Sequence, residues 1–385
     1  MKVVQFGLHY SPNLGDGIIA ECLAHGIATR APGAEVVTID ISGRQGFDEV
    51  VVKNRQLVMK VLGLMPLALR QRVVLAKLGP MVARFAEGWQ QELEGADLAV
   101  VGGGQILSDA DLNFCIKLSA AARAIRAGDV PAAIFAAGVS KNWTAKGRAL
   151  FLDLLATDLR MVGLRDAPSI EAWRSQTGNP APQAVLTRDP GLLAAACYGA
   201  PAQRPGGIGI CCTDPALLAY HADAEVAGGG SLHKDLVLAL IAAGHRVTLF
   251  SNGAEEDAAF QQRLGQEMAD LVSSGALTMA AVPTRPGGLA HLVAGFDAVV
   301  AHRLHACIIA HSYGLPVVGL GWDRKVESFF ASVGQEAAFV GAAEAGGASV
   351  AEVLEAAMAR GIDPDRHARV QAEAWEAIDR LLACV

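Results

Sequence analysis

The sequence predicts an α/β protein made of two doubly wound domains in tandem, with a cleft between them. Three observations predict it. Short apolar runs alternate with longer segments whose apolar residues recur every three or four positions, the pattern of parallel strands covered by helices. The alternation stops once, in a stretch of Pro, Gly and small residues at 197–207, and then begins again. The 385 residues also exceed the roughly 100 to 200 expected of one domain.

The first half places strands at 3–8, 35–41, 98–101, 132–136 and 160–163, each before a helical pattern. The segments 15–30 and 145–156 carry an apolar stripe at helical spacing and belong on the sheet faces. The second half places strands at 208–212, 246–250, 276–282, 298–301 and 316–320, with helices near 232–243, 255–271 and 304–312. The tail, 350–382, reads as two amphipathic helices that pack back on the domains. The expected division is therefore 1–200, 205–345 and a C-terminal helical piece at 346–385. In doubly wound sheets ligands bind outside the carboxyl ends of the strands, so loops of both halves would line the cleft.

Composition removes several function classes. Apolar residues make up 52% and charged residues 18%, which excludes a disordered chain. Lys and Arg number 32 against 39 Asp and Glu, a net charge of −7, so the basic footprint of a nucleic-acid binder is missing. Seven cysteines, with no Cys-x-x-Cys and no Cys/His pairing of zinc type, fit a reduced compartment and no metal. Residues 1–7 turn polar too soon for the apolar core of a signal peptide, which points to the cytoplasm.

One segment departs from that balance. Residues 53–84 hold Lys53, Arg55, Lys60, Arg70, Arg72, Lys77 and Arg84, with no acid. A helical insertion with a solvated basic face is the simple reading. A basic amphipathic stretch on the inner face of the cytoplasmic membrane is the functional one, and it would suit a lipid-linked acceptor.

The loops after the strands carry the chemistry. Asn13-Leu-Gly15-Asp16 lies between the first strand and its helix, where free N–H groups and a positive dipole meet an anion or a sugar hydroxyl. Asn13 as a helix cap and Asp16 as a first-turn acid are the structural alternatives. Gly102-Gly103-Gly104 ends the third strand and leaves a ligand room to approach. It is neither a Walker loop nor Gly-x-Gly-x-x-Gly, so nucleotide binding by those routes is unsupported. Arg165-Asp166 opens a later helix; Arg165 either pairs with Asp166 or Asp189 or faces the cleft.

The densest segment is His302-Arg303-Leu304-His305 at the end of a strand, followed by Trp322-Asp323-Arg324-Lys325 after the next. Arg grips a phosphate or carboxylate through paired hydrogen bonds, Lys adds a point charge, and a His beside them is a usable general acid. Asp109 and Asp111 are explained by helix capping.

Together these residues resemble the polysaccharide pyruvyl transferase family. The resemblance rests on Asn13-x-Gly15-Asp16, Gly102-Gly103-Gly104, Gly138-Val-Ser140, Arg165-Asp166-x-x-Ser169, Asp189-Pro190, Arg303-Leu-His305-Ala306, Gly314-x-Pro316 and Asp323-x-Lys325, in that order over roughly 5 to 330. It implies two Rossmann-like domains in a GT-B-like arrangement, with the acceptor on the first and the donor on the second. The implied reaction moves the pyruvyl group of phosphoenolpyruvate onto two hydroxyls of a cell-envelope or exopolysaccharide sugar, free or lipid-linked. A cyclic ketal forms and phosphate leaves, with no cofactor beyond the donor substrate.

On that reading His305 is the general acid, and Arg303, Lys325 and Arg165 hold the donor. Asn13 and Gly15, with Gly103 and Gly104, face the acceptor, and Asp16 orients it or acts as base. The long basic insert and the Ala-rich tail lie outside the motifs. The rival readings are a GT-B glycosyltransferase using a nucleotide sugar and a catalytically silent binding component of an envelope assembly. Nucleotide binding separates the first, and the Arg303, His305 and Lys325 set argues against the second.

Overall fold

The computed structural model describes residues 1–47, 65–178, 180–215, 231–322 and 324–385. The first part of the expected basic stretch 53–84, residues 53–64, and Asp323 of the Asp-x-Lys motif lie outside the described residues.

Two compact units divide the chain at Pro190/Gly191, ahead of the expected 200–205. The first comprises Met1–Ser11, Ile19–Pro190 and Ala374–Val385; the second comprises Pro12–Ile18 and Gly191–Glu373. Each is a doubly wound α/β unit around a parallel sheet of six strands.

The first unit runs β1 (Lys2–Gly7), α1 (Leu14–Arg30), β2 (Glu35–Asp40), α2 (Leu67–Leu93), β3 (Leu98–Gly102), α3 (Asn113–Ala127), β4 (Ala132–Ala137), α4 (Ala145–Phe151), β5 (Leu159–Leu164), α5 (Ala167–Thr177) and β6 (Ala184–Leu186). The strand order is β2-β1-β3-β4-β5-β6. β3 and β4 are apolar along their length because helices cover both faces of a parallel sheet. The opening turn of α1, Pro12–Ile18, belongs to the second unit.

In the second unit the elements are α6 (Ala194–Tyr198), β7 (Ile208–Cys211), α7 (Ser231–Ala242), β8 (Val247–Phe250), α8 (Glu255–Glu267), α9 (Ala269–Ser273), β9 (Leu277–Met279), α10 (Pro286–Ala294), β10 (Ala298–Ala301), α11 (Leu304–Ser312), β11 (Val317–Leu320), α12 (Arg324–Ser332), β12 (Phe339–Val340), α13 (Gly347–Arg360) and α14 (Pro364–Leu382). The order is β12-β11-β10-β7-β8-β9, with Ala301 of β10 between Cys211 and Gly319. The single helix expected over 255–271 is interrupted at Met268, whose φ of −115° leaves helical space. The tail forms its two helices: α13 packs on α7 with Gly347 against the Asp235 backbone, and residues from Ala374 count with the first unit. There Arg30 lies over the Trp375 ring and 3.2 Å from Asp379.

Candidate active site

The carboxyl end of β10 organises the polar cluster of the second unit. β10 stops at Ala301, His302 follows, and Arg303 takes the N-cap position of α11 with extended backbone. From there its guanidinium reaches Asp257 in the first turn of α8: Nε donates to Oδ2 at 2.8 Å and Nη2 lies 2.6 Å from the same oxygen. The Asp257 side chain is fully buried, and Oδ1 accepts from the Asp214 amide at 3.0 Å. Burial pushes the Asp257 carboxyl up, while Arg303 and that amide pull it down. Arg303 is 16% exposed, and the carboxylate fixes the edge of its guanidinium that carries Nε and Nη2.

His305 sits two residues on, in the first turn of α11, and is almost wholly buried. Gly15 lies against its imidazole so closely that no side chain fits between them. The opening turn of α1 is held there by two further contacts: the Leu14 amide donates to the Asn252 carbonyl at 3.0 Å, and the Leu14 side chain covers Gly253, whose φ of +93° only glycine takes readily. These contacts are why Pro12–Ile18 counts with the second unit. Asn13 does not cap α1 through its side chain, because Oδ1 is buried without a hydrogen-bond partner; its carbonyl accepts from the Asp16 amide instead.

Lys325 enters in the first turn of α12, after the strand adjacent to β10. Its Nζ stands 4.6 Å from the centre of the Trp322 ring. The Trp322 indole donates to the His302 carbonyl at 2.8 Å and so ties this loop to the one carrying Arg303. His302 and His233 form a buried pair behind this loop. Their rings are 5.4 Å apart, and burial holds His233 down to about 4 and His302 well below the ordinary imidazole range. Both are neutral near pH 7 and serve packing. The thiols of Cys211, Cys212 and Cys307 are pushed up by burial, which removes them as nucleophiles.

The first unit gathers the other motifs at the ends of β3, β4 and β5. Gly102 and Gly103 are backbone requirements: a Cβ on Gly102 would strike the Phe135 carbonyl, and one on Gly103, at φ +78°, would strike Ile19. Gly104 shares the left-handed conformation at φ +69°, and its carbonyl accepts from Gly138 at 2.8 Å. β4 bulges at this point, with Ala136 at φ +51°. Arg165 pairs with Asp166 at 3.3 Å, not with Asp189, and also donates to Gln105, whose Nε2 reaches Ser140 Oγ at 2.9 Å. Asp166 caps α5 by accepting from the Ser169 amide, and Ser169 Oγ accepts from Val139. Asp109 is a capping residue too, taking hydrogen bonds from Leu112 and from Thr144 N and Oγ1. Among the described residues no group of His, Cys, Asp and Glu is arranged to hold a metal ion.

The expected residues therefore fall into two sets. Asn13, Gly15, Asp16, Arg303, His305 and Lys325 belong to the second unit; Gly103, Gly104 and Arg165 belong to the first. The sequence reading missed Asp257, Asn252 and Gln105. Asp257 sits in the acidic run Glu255-Glu256-Asp257, which the positive end of a helix explains without a guanidinium partner.

A family model described as polysaccharide pyruvyl transferase matches residues 13–324. No curated protein matches the chain. Among solved structures, it is similar to a putative UDP-N-acetylglucosamine 2-epimerase of Listeria monocytogenes, at 13% identity and TM-score 0.56, covering 100% of this chain and 95% of that one. The S. aureus MnaA–UDP structure matches at 11% identity and TM-score 0.55, covering 99% and 94%. UDP-GlcNAc 2-epimerase of Methanocaldococcus jannaschii matches at 9% and 0.53, covering 93% and 92%. At these identities the likeness is one of fold, two Rossmann-like units of GT-B type.

Proposed function

Because the chain belongs to the polysaccharide pyruvyl transferase family, we propose that it moves the pyruvyl group of phosphoenolpyruvate onto two hydroxyls of an envelope or exopolysaccharide sugar, forming a cyclic ketal. The observation that carries this reading is Arg303, anchored on buried Asp257 and placed two residues before His305 at the end of β10. Phosphoenolpyruvate presents a phosphate and a carboxylate. Arg303 and Lys325 supply the countercharge, and Arg165 is assigned a supporting role from the family motif.

The reaction follows from those groups. His305 donates a proton to the methylene carbon of the donor, and C2 becomes oxocarbenium-like. One sugar hydroxyl adds to C2 and gives up its proton, with Asp16 as base or as orienting group. The C2–O bond to phosphate breaks, and the second hydroxyl closes the ketal; its proton leaves with phosphate. Asn13, with a buried acceptor oxygen, and the backbone of Gly15, Gly103 and Gly104 are assigned to the acceptor.

Calorimetric titration with phosphoenolpyruvate, beside Arg303→Ala and a panel of nucleotide sugars, tests the donor. Binding that depends on Arg303 is expected. Silence toward phosphoenolpyruvate with clear nucleotide-sugar binding would overturn the proposal in favour of glycosyl transfer.

A further inference from the structure

We propose that the outward face of α2 is a docking surface for an anionic lipid bilayer. The proposal concerns the first unit and is independent of the reaction assigned above. Helix α2 has a conventional inner face: Val82, Trp89 and Leu93 are buried in the core, and Trp89 meets Phe6 edge-on at 5.6 Å. A helix on a protein surface should then turn polar on the opposite side. Its C-terminal part does so, with Glu87, Gln90 and Gln91 exposed.

Its first part does not. At about 100° per residue, Leu69, Val73, Ala76, Pro80 and Ala83 fall on one line away from the core. Leu69 is 49% exposed, and Ala76, Pro80 and Ala83 are exposed. Met81, also exposed, lies about 120° round from that line on the side of Lys77 and Arg84, while Leu75, exposed too, falls at the azimuth of Leu93, toward the inner face. Of the ten large exposed hydrophobic residues among those described, Leu67, Leu69, Leu75 and Met81 all belong to this helix. Single exposed apolar residues are ordinary; a stripe of them is not.

Charge selects the occupant. Arg72, on one side of the stripe, and Lys77 and Arg84, on the other, are exposed and have no ion-pair partner among the described residues. No acid occurs from 65 to 86, in a chain of net charge −7. An apolar line bordered by cations is what an interfacial helix offers to acyl chains and lipid phosphates together. A second copy fits poorly, because a symmetric contact would set these cations against each other. Nucleic acid would use the cations and leave the leucines exposed. No described helix is long and apolar enough to cross a membrane, so the contact is a surface one.

The test is cosedimentation of the full chain with vesicles of equal parts phosphatidylcholine and phosphatidylglycerol, against phosphatidylcholine alone. Binding is expected only to the anionic vesicles and should weaken with salt. At about fivefold per cation, the triple variant Arg72→Ala, Lys77→Ala, Arg84→Ala lowers the partition coefficient about a hundredfold. Leu69→Ser with Met81→Ser weakens it as well, whereas Arg72→Lys with Arg84→Lys keeps it. Circular dichroism checks that each variant is folded. Equal binding to both vesicle types, no binding to either, or an unchanged triple variant would overturn the proposal. So would a dimer in solution that Leu69→Ser dissolves, which assigns the face to a second copy.

Discussion

Gly15 lies so close to His305 that a methyl group in place of its hydrogen would stand 2.5 Å from Nδ1 and 2.8 Å from Cβ of the imidazole side chain. Real Cβ atoms do not approach that near, so one partner must move. His305 is buried at the start of α11, while Gly15 lies in a turn held by Leu14 and Asn252. Substitution therefore tilts the imidazole. Gly15→Ala is expected to lower pyruvyl transfer about a hundredfold, the scale of a misplaced catalytic group, with phosphoenolpyruvate affinity nearly retained. Kinetics and calorimetry on the same preparation check it, and wild-type turnover would remove the link between the two residues.

His305→Gln keeps a polar side chain of similar reach but cannot deliver a proton to carbon. Turnover should fall by about 10²–10⁴, the usual worth of a general acid, and phosphoenolpyruvate should still bind. Single-turnover transfer measured beside binding separates the two effects. A variant that turned over normally would exclude His305 as the acid.

Asp257→Asn tests whether the buried carboxylate positions Arg303. The substitution removes the charge that pairs with Nε and Nη2 while keeping the side chain's size. A hydrogen bond to a charged group contributes about 1.5–3 kcal/mol, so phosphoenolpyruvate affinity should weaken roughly ten- to a hundredfold. The carboxyl is already pushed up by burial, so the wild type should approach the variant's affinity as acid neutralises Asp257. Affinity measured against pH in both proteins checks this. An Asn variant that binds as tightly as wild type would mean that Arg303 holds its place unaided.

How far these relationships were legible follows from their range. β10 and α11 were read to the residue, because an apolar run buried on both faces ends where a polar pair begins. β6 and β12, three and two residues long, carry too few positions for any period to show, and Val185 and Leu186 of β6 are exposed. The Arg303 and His305 pair was visible as a motif, but its anchor was not. Asp257 looks like any acid at the start of a helix, and its partner lies far along the chain. For the same reason nothing local reveals that Pro12–Ile18 joins the second unit, since Asn252, Gly253 and His305 supply the contacts. Gly103 was read from the space a missing Cβ leaves, and the structure shows a requirement the sequence hides, since Ile19 stands where that Cβ would be.

His233 and His302 predict an acid limit to stability. Burial holds His233 down to about 4 and His302 well below its ordinary range, where His233 and Arg303 add to the effect. In the unfolded chain both titrate near pH 6.5. Below that value the unfolded state takes up protons that the folded state refuses, so stability is full above it and is lost as pH falls toward about 4. Thermal melting at about pH 7.5 and about pH 5 should show the loss, and His233→Gln, which cannot titrate, should show less of it. An equal loss in both proteins would place the acid sensitivity elsewhere.

Trp322 gives the last prediction, because it serves Lys325 and the β10 loop at once. Its ring lies under the Lys325 ammonium and its indole N–H holds the His302 carbonyl. Trp322→Phe keeps an aromatic face and removes the hydrogen bond, so the ammonium retains a platform that is no longer tied to the loop bearing Arg303. About 1 kcal/mol is the usual net worth of such a bond, which corresponds to a loss of roughly fivefold in phosphoenolpyruvate affinity. Lys325→Met removes the charge itself and should cost more, about tenfold or beyond, in KM with kcat little changed, the outcome expected of an ammonium that meets a phosphate present in substrate and transition state alike. If Lys325→Met instead lowered kcat and left KM unchanged, the ammonium would be acting on charge that develops during phosphate departure, and its place would be at the leaving group rather than in donor binding.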